Sequence, residues 1–294
     1  MTAIRQEGKI NEDTTLIDVE MWGQKGLCAM YLIESNKKCL IDGGISNQAQ
    51  HLIDFLEKRN AFPPDIIIIT HAHWDHTQAI PAFQKKAAEL GKKIKVMASK
   101  EAIQLLKNQS FNDIFNMGPY ENIDDVTTLS EGDIIDLDGI TLKIFNVPGH
   151  SKDHIAILDQ KNKNIFVGDA IGSKRIDNVT SPAFMPPFFN KENYYESMNK
   201  LKGIDYDTLC LAHYGYIYDE EAKTILDEQL ETFENWWQLF EDNTSKFDDV
   251  NYMVDTILKN CYPKIVNNEE LKIEFLFSVP WFIQGFELYH QSKL

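Results

Sequence analysis

The chain has 294 residues, 43% of them apolar and 25% charged, which is the make-up of a globular protein rather than a disordered or fibrous one. Its 29 basic and 45 acidic residues leave a net charge of −16, and that charge argues against nucleic acid or an anionic membrane surface as a partner. Four widely spaced cysteines form no CxxC pair, the first residues lack the apolar stretch of a secretory leader, and no apolar run reaches the ~18 residues of a membrane span, so the expected setting is a reducing cytoplasm with the cysteines as buried small hydrophobes.

Residues 1–13 are polar and expected to be frayed or to form an edge. Thr15–Trp22, Leu27–Glu34 and Cys39–Asp42 are short apolar segments between Gly, Asn and Lys, the mark of successive strands. Asp42-Gly43-Gly44 closes the third, and Ser46 is the expected cap of a helix reaching Arg59. Ile66–Ile69 is a continuous β-branched run, read as a strand covered on both faces. A helix is expected from about Gln78 to Leu90, a strand over Lys93–Met97 and a helix over Ser99–Lys107.

From Thr127 the pattern becomes a meander, with strands at Ile134–Leu137, Thr141–Val147, Ile155–Leu158 and Ile165–Val167. Asn190–Lys202 reads as a helix and Thr208–Ala212 as a strand. From about residue 219 onward the chain reads as aromatic-rich helices to its end. Two runs of strands with helices between them, then a helical tail, predict two sheets with helices outside.

Three of the eight histidines fall within six residues, in His71-Ala72-His73-Trp74-Asp75-His76. A regular strand would send such neighbours to opposite faces, whereas a loop leaving a buried strand turns them all inward. Imidazole and carboxylate at this density suit zinc, manganese or iron. Further ligand-capable side chains follow apolar runs elsewhere: His150 in Pro148-Gly149-His150, Asp169 in Gly168-Asp169, and His213 after Thr208–Ala212. Glycine beside two of them permits close backbone approach.

Over roughly residues 15–217 this ordered set resembles the metallo-β-lactamase-fold superfamily. The stretches Gly43–Ser46, Gly149–His154 and Gly168–Gly172 are similar to its quinolone-signal-response thioesterase branch, and to glyoxalase- and lactonase-like hydrolases. The resemblance implies an α/β fold, a four-layer αββα sandwich over residues 1–218, with a C-terminal helical subdomain over 219–294. It implies two divalent metal ions, zinc first and iron or manganese as alternatives. His71, His73 and His150 would bind one; Asp75, His76 and His213 the other; Asp169 would bridge both. The implied chemistry is attack by a bridging hydroxide on an ester, thioester or lactone carbonyl, with Asp75 as a candidate proton donor to the leaving group. Alternatives within the same resemblance are an iron-dependent oxidoreductase, of persulfide dioxygenase or diiron type, and a regulatory protein with residual hydrolysis.

Around this set, His154 is either a group orienting a ligand or a plain hydrogen-bonded histidine. His51 and His290 are expected at the surface. Pro182–Phe189 is apolar, yet its prolines bar regular structure. Phe184, Met185 and Phe188 are therefore candidate walls for an apolar part of a small-molecule substrate, the alternative being a loop packed on the C-terminal helices; Tyr214 and Tyr216 are candidate oxyanion donors, with packing as their other role. Lys174 and Arg175 read first as solvated loop charges, with contact to an anionic substrate group as the alternative. The aromatic C-terminal helices are first of all core, and after that a pocket wall or a homodimer face.

Overall fold

A computed structural model describes residues 6–175 and 179–293. Strand β1 (Gly8–Lys9) is an edge, followed by β2 (Thr14–Asp18), β3 (Ala29–Glu34), β4 (Lys38–Ile41), β5 (Ile66–Ile68), β6 (Lys95–Ser99) and β7 (Val126–Leu129), hydrogen-bonded in that order as one sheet. Pairing is antiparallel through β4 and parallel from β4 to β7. Its parallel part is fed by helices α1 (Ala49–Lys58), α2 (Trp74–Thr77), α3 (Ile80–Glu89) and α4 (Ala102–Lys107).

The second sheet is a meander of β8 (Ile134–Asp136), β9 (Thr141–Asn146), β10 (Ile155–Asp159) and β11 (Asn164–Gly168). A small ladder, β12 (Ser173–Lys174) with β13 (Thr180–Ser181), and helix α5 (Lys191–Lys202) intervene before β14 (Thr208–Leu211), which joins β11 in parallel, and β15 (Gly215–Tyr218). Helices α6 (Asp219–Asp242), α7 (Val250–Cys261) and α8 (Glu269–Gln291) end the described chain.

Alternation along the strands builds the layers. Tyr31, Ile33, Cys39, Ile41, Ile66 and Ile68 of the first sheet meet Leu142, Ile144, Ile155, Ile157 and Phe166 of the second in one buried cluster. On the opposite face of the first sheet, Leu32, Leu40, Ile67 and Val96 pack with Leu52, Leu56, Phe83 and Leu106 of the outer helices. On the far face of the second sheet, Ala156, Ile165 and Leu209 pack with Phe233, Trp236, Phe240 and Phe275. The arrangement is the expected α/β/β/α sandwich. The C-terminal helices share a core with the second sheet rather than having one of their own.

Several expectations need correction. The expected strand 15–22 stops at Asp18, and Met21–Gly23 is a 3-10 turn with Trp22 in the left-handed region (φ 54). Ser46 opens a 3-10 turn ahead of α1 and no side chain caps that helix. The segment from Thr127 is no meander strand; β7 extends the first sheet in parallel, so the meander begins at Ile134. Strand β15, not expected, covers the edge of β14. Lys174 is not solvated: its side chain is 2% exposed, and its ammonium donates to Glu228 at 2.5 and 2.7 Å. All four cysteines are free, with Cys28, Cys39 and Cys210 buried and Cys261 half-buried. No helix among the described residues is long and apolar enough to cross a membrane.

One buried hydroxyl ties the sheets together at the level where the ligand-bearing loops emerge. Tyr31 Oη donates to the Leu211 carbonyl at 2.6 Å and lies 2.9 Å from that of Gly215. Tyr31→Phe leaves both carbonyls without this donor and is expected to lower unfolding free energy by about 1–2 kcal/mol. Chemical denaturation checks this; an unchanged midpoint would contradict it.

Candidate metal centre

The four loops singled out in the sequence converge at one end of the sandwich. His71–His76 leaves β5 and enters α2, His150 follows β9, Asp169 follows β11 and His213 follows β14. Two glycines allow this. A Cβ on Gly149 (φ +149) would meet Tyr194 Cα at 2.6 Å, and one on Gly168 (φ +50) would meet His154 and Thr70 at 2.8 Å.

Four of the five imidazoles are oriented from behind. Thr70 Oγ1 donates to Asp42 Oδ2 at 2.9 Å, so it accepts from His71 Nδ1 at 3.1 Å. His76 Nδ1 donates to the same Asp42 oxygen at 2.8 Å. His150 Nδ1 donates to the Ala183 carbonyl and His213 Nδ1 to the Leu27 carbonyl, both at 2.8 Å. With the Nδ1 protons so committed, the Nε2 lone pairs of His71, His76, His150 and His213 all face inward. His73 adds Nδ1, which lies 2.9 Å from His71 Nε2 and 3.0 Å from His150 Nε2.

Two carboxylates complete the cluster. Asp169 Oδ2 lies 3.4 Å from His76 Nε2 and His213 Nε2, 3.6 Å from His150 Nε2 and 3.9 Å from His71 Nε2. Asp75 Oδ2 lies 3.1 Å from His213 Nε2, and its Oδ1 lies 3.7 Å from His76 Nε2. Buried His76 Nε2 and Asp169 Oδ1 have no hydrogen-bond partner. His71, His73 and His150 form one group able to hold a metal ion, and Asp75, His76 and His213 another; His71, His76 and Asp169 form a third. Acceptors packed this closely repel one another unless something positive lies between them. The donor set therefore fits divalent cations taking nitrogen and oxygen ligands.

The electrostatics point the same way. Burial, reinforced by the neighbouring imidazoles, holds His71 well below the usual histidine range and keeps it neutral. Burial also opposes charge on His213, but Asp169 and Asp75 outweigh it and push it up to about 10. Desolvation likewise works against the Asp169 carboxylate, yet His213 and His76 hold it well below the usual range. The carboxylates thus demand positive charge at this point, which a proton or a metal ion can supply.

Further side chains support the cluster. Asp153 Oδ2 accepts from Ala72 N at 2.8 Å and Asn112 Nδ2 donates to the Ala72 carbonyl at 3.2 Å, pinning the loop between His71 and His73. Sequence reasoning missed both, since neither is near that loop in the chain. His154 is an orienting residue: its Nε2 accepts from Asp169 N at 3.1 Å, and its ring stacks on His71 at 4.6 Å. His290 is exposed as expected, whereas His51 is half-buried.

A cavity of about 720 Å³ opens onto the cluster, reaching His73, Asp75, His150, Asp169 and His213. Of the candidate wall and oxyanion residues only Met185 lines it. Phe184 is fully buried among Phe233, Trp237, Phe240 and Phe282. Phe188 packs on Phe111 and under Lys152 instead. Tyr214 is fully buried between the sheets and cannot present its hydroxyl to a ligand in the cavity. The walls are instead Trp22 and Trp74 on one side and Phe277, Trp281 and Phe282 of α8 on the other. Arg175 also lines the cavity, ion-paired with Glu274, so it is no solvated loop charge.

The metallo-beta-lactamase superfamily model matches residues 23–213. A hydroxyacylglutathione hydrolase of Vibrio vulnificus is 25% identical over 210 residues, 71% of this chain and 67% of that protein. An acyl-coenzyme A thioesterase of Gallus gallus is 24% identical over 193 residues, 57% of this chain and 63% of that protein. In structure, an archaeal metallo-beta-lactamase superfamily protein from Sulfolobus tokodaii superposes with a TM-score of 0.56 at 22% identity, covering 71% of this chain and 81% of that one, which shows a common fold.

If the acceptor cluster is a cation site, adding divalent metal to chelator-treated protein raises its melting temperature. At a hundredfold excess over Kd the gain is about 2.7 kcal/mol. A metal-independent melting curve would contradict the reading.

Proposed function

Because this chain belongs to the metallo-β-lactamase superfamily, we propose that it is a metal-dependent hydrolase acting on an ester, thioester or lactone carbonyl of a small molecule. The observation that carries the proposal is the convergence of five imidazole nitrogens and two carboxylates beside an apolar cavity. The names of its hydrolase and thioesterase relatives agree with this reaction class. His71, His73 and His150 would hold one cation, Asp75, His76 and His213 the second, and Asp169 would face both. The nitrogen-rich set suits zinc first.

Bound divalent cations would supply a water ionised near neutral pH and Lewis-acid polarisation of the carbonyl. The chain's own groups do the rest. Asp42 fixes His76 and, through Thr70, His71, so the lone pairs stay aimed without reorganisation. Asp75, which lines the cavity, takes up the proton of the attacking water and returns it to the leaving oxygen or sulfur. Trp74 and Phe115 flank the cluster and exclude bulk water. In the proposed division, residues 1–218 carry the chemistry and part of the wall, and 219–294 complete the wall through α8.

His73→Ala and Asp169→Ala are expected to lose bound metal and ester or thioester hydrolysis together, with the fold retained by circular dichroism. Asp42→Ala should weaken metal binding about 10–100-fold, since it removes the partner of His76 and the anchor of the Thr70 hydroxyl that holds His71. Elemental analysis alongside a thioester and lactone screen checks both. Full turnover by the first two variants, or one bound iron with oxygen uptake and no ester cleavage, would overturn the hydrolase assignment.

A further inference from the structure

The cavity wall carries a pattern that bears on which molecules the site accepts. Aromatic rings form a collar around it. Phe115 meets Trp281 edge-on at 5.4 Å, Trp281 meets Phe277 at 4.7 Å, Phe277 meets Trp22 at 5.2 Å, and Trp22 stacks on Trp74 at 6.1 Å. The collar thus starts beside His73, whose ring lies 5.2 Å from Phe115, and closes on Trp74 within the same ligand loop. Trp22 and Phe277 are 42% and 44% exposed. An indole left this open and held at positive φ is an uncommon arrangement for a bulky residue. It places a large apolar face where an entering molecule would meet it.

The charges on this wall are unusual in their balance. Arg175 is the one lysine or arginine lining the cavity among the described residues, and its guanidinium is ion-paired with Glu274. Glu270, also on the wall, is exposed one turn earlier in α8. A ligand bearing phosphate, sulfonate or carboxylate groups on its outer part would meet no free cation there and at least one free carboxylate. The net charge of −16 adds long-range repulsion of the same sign.

Resting on the hydrolase reading above, we infer that this site selects an uncharged substrate with a flat or bulky apolar body held in the Trp22–Phe277–Trp281 collar. It discriminates against acyl groups on anionic carriers, and the Arg175–Glu274 pair sets that preference. Glu274 is a specificity-determining residue because it cancels the cation that would otherwise receive an anion. Trp22 is one because it closes the collar between the ligand loop and α8.

The test is a binding measurement that does not depend on turnover. Two non-hydrolysable aryl thioethers of matched size, one ending in a methyl sulfone and one in a sulfonate, are titrated calorimetrically against the metal-loaded full chain. The neutral compound is expected to bind about tenfold more tightly. In Glu274→Gln, which frees Arg175, the ratio is expected to fall to about threefold or less through tighter sulfonate binding. Trp22→Ala is expected to weaken the neutral compound about tenfold, and Phe277→Ala serves the same purpose should the first variant fail to fold. Equal affinities, a ratio unmoved by Glu274→Gln, or no binding of either compound would overturn the inference. A retained preference for the neutral compound, with no cleavage of any ester, thioester or lactone, supports the inference and sinks the hydrolase reading instead.

Discussion

Five imidazole nitrogens and two carboxylates cannot share a water-poor space of this size on their own terms. Four of the nitrogens are forced inward because the other nitrogen of each ring is committed elsewhere, to Thr70, Asp42, Ala183 or Leu27, and His73 adds the fifth without such a partner. The result is a concentration of acceptors with too few donors, and such a site is relieved by a cation. Much of the surrounding structure serves to hold that unfavourable arrangement in place. Asp42 steadies two rings at once, His154 fixes the backbone of Asp169, and Asp153 clamps the loop between His71 and His73.

The sandwich makes the convergence possible because the loops come from both sheets. The His71–His76 loop leaves the parallel part of the first sheet, whereas His150, Asp169 and His213 leave three strands of the second. Their mutual positions therefore depend on the packing between the sheets. The cluster of Tyr31, Ile41, Ile68, Ile155 and Phe166 sets the spacing, and the Tyr31 hydroxyl locks it next to the strand end that carries His213. A shift of one sheet against the other would spoil the hydrogen bond and the ligand geometry together.

Beyond the centre, the C-terminal helices do two jobs with different residues of the same segments. Phe233, Trp236, Phe240 and Phe275 join the core of the second sheet. Phe277 and Trp281, on another side of α8, form the cavity wall with Trp22 and Trp74. Core packing and the cavity wall fall largely on different sides of one helix, with Phe282 shared between them. Substitutions on the wall face are for that reason less disruptive to the fold than those on the core face.

The sequence by itself marked the candidate ligands that the fold brings together. Three histidines and an aspartate within six residues after a buried β-branched run, with single His or Asp residues after later strands, have few other chemical uses. The order of strands and helices was readable from the same periodicity, apart from β7, whose parallel pairing with β6 is non-local, and β15, a short return strand in a hairpin with β14. Tertiary structure alone decided what lines the cavity. Phe184 and Tyr214 carry the right chemistry for a substrate wall, yet they are buried on the wrong side of their loops. Trp22 looked ordinary in the chain, and for Arg175 and Phe277 a place at the site was only the second reading; all three became wall residues when α8 folded back over the first sheet's loops. Ligands follow strand ends, which local pattern marks; a cavity wall is the meeting of surfaces distant in sequence, and no local pattern encodes which side chains will face each other across it.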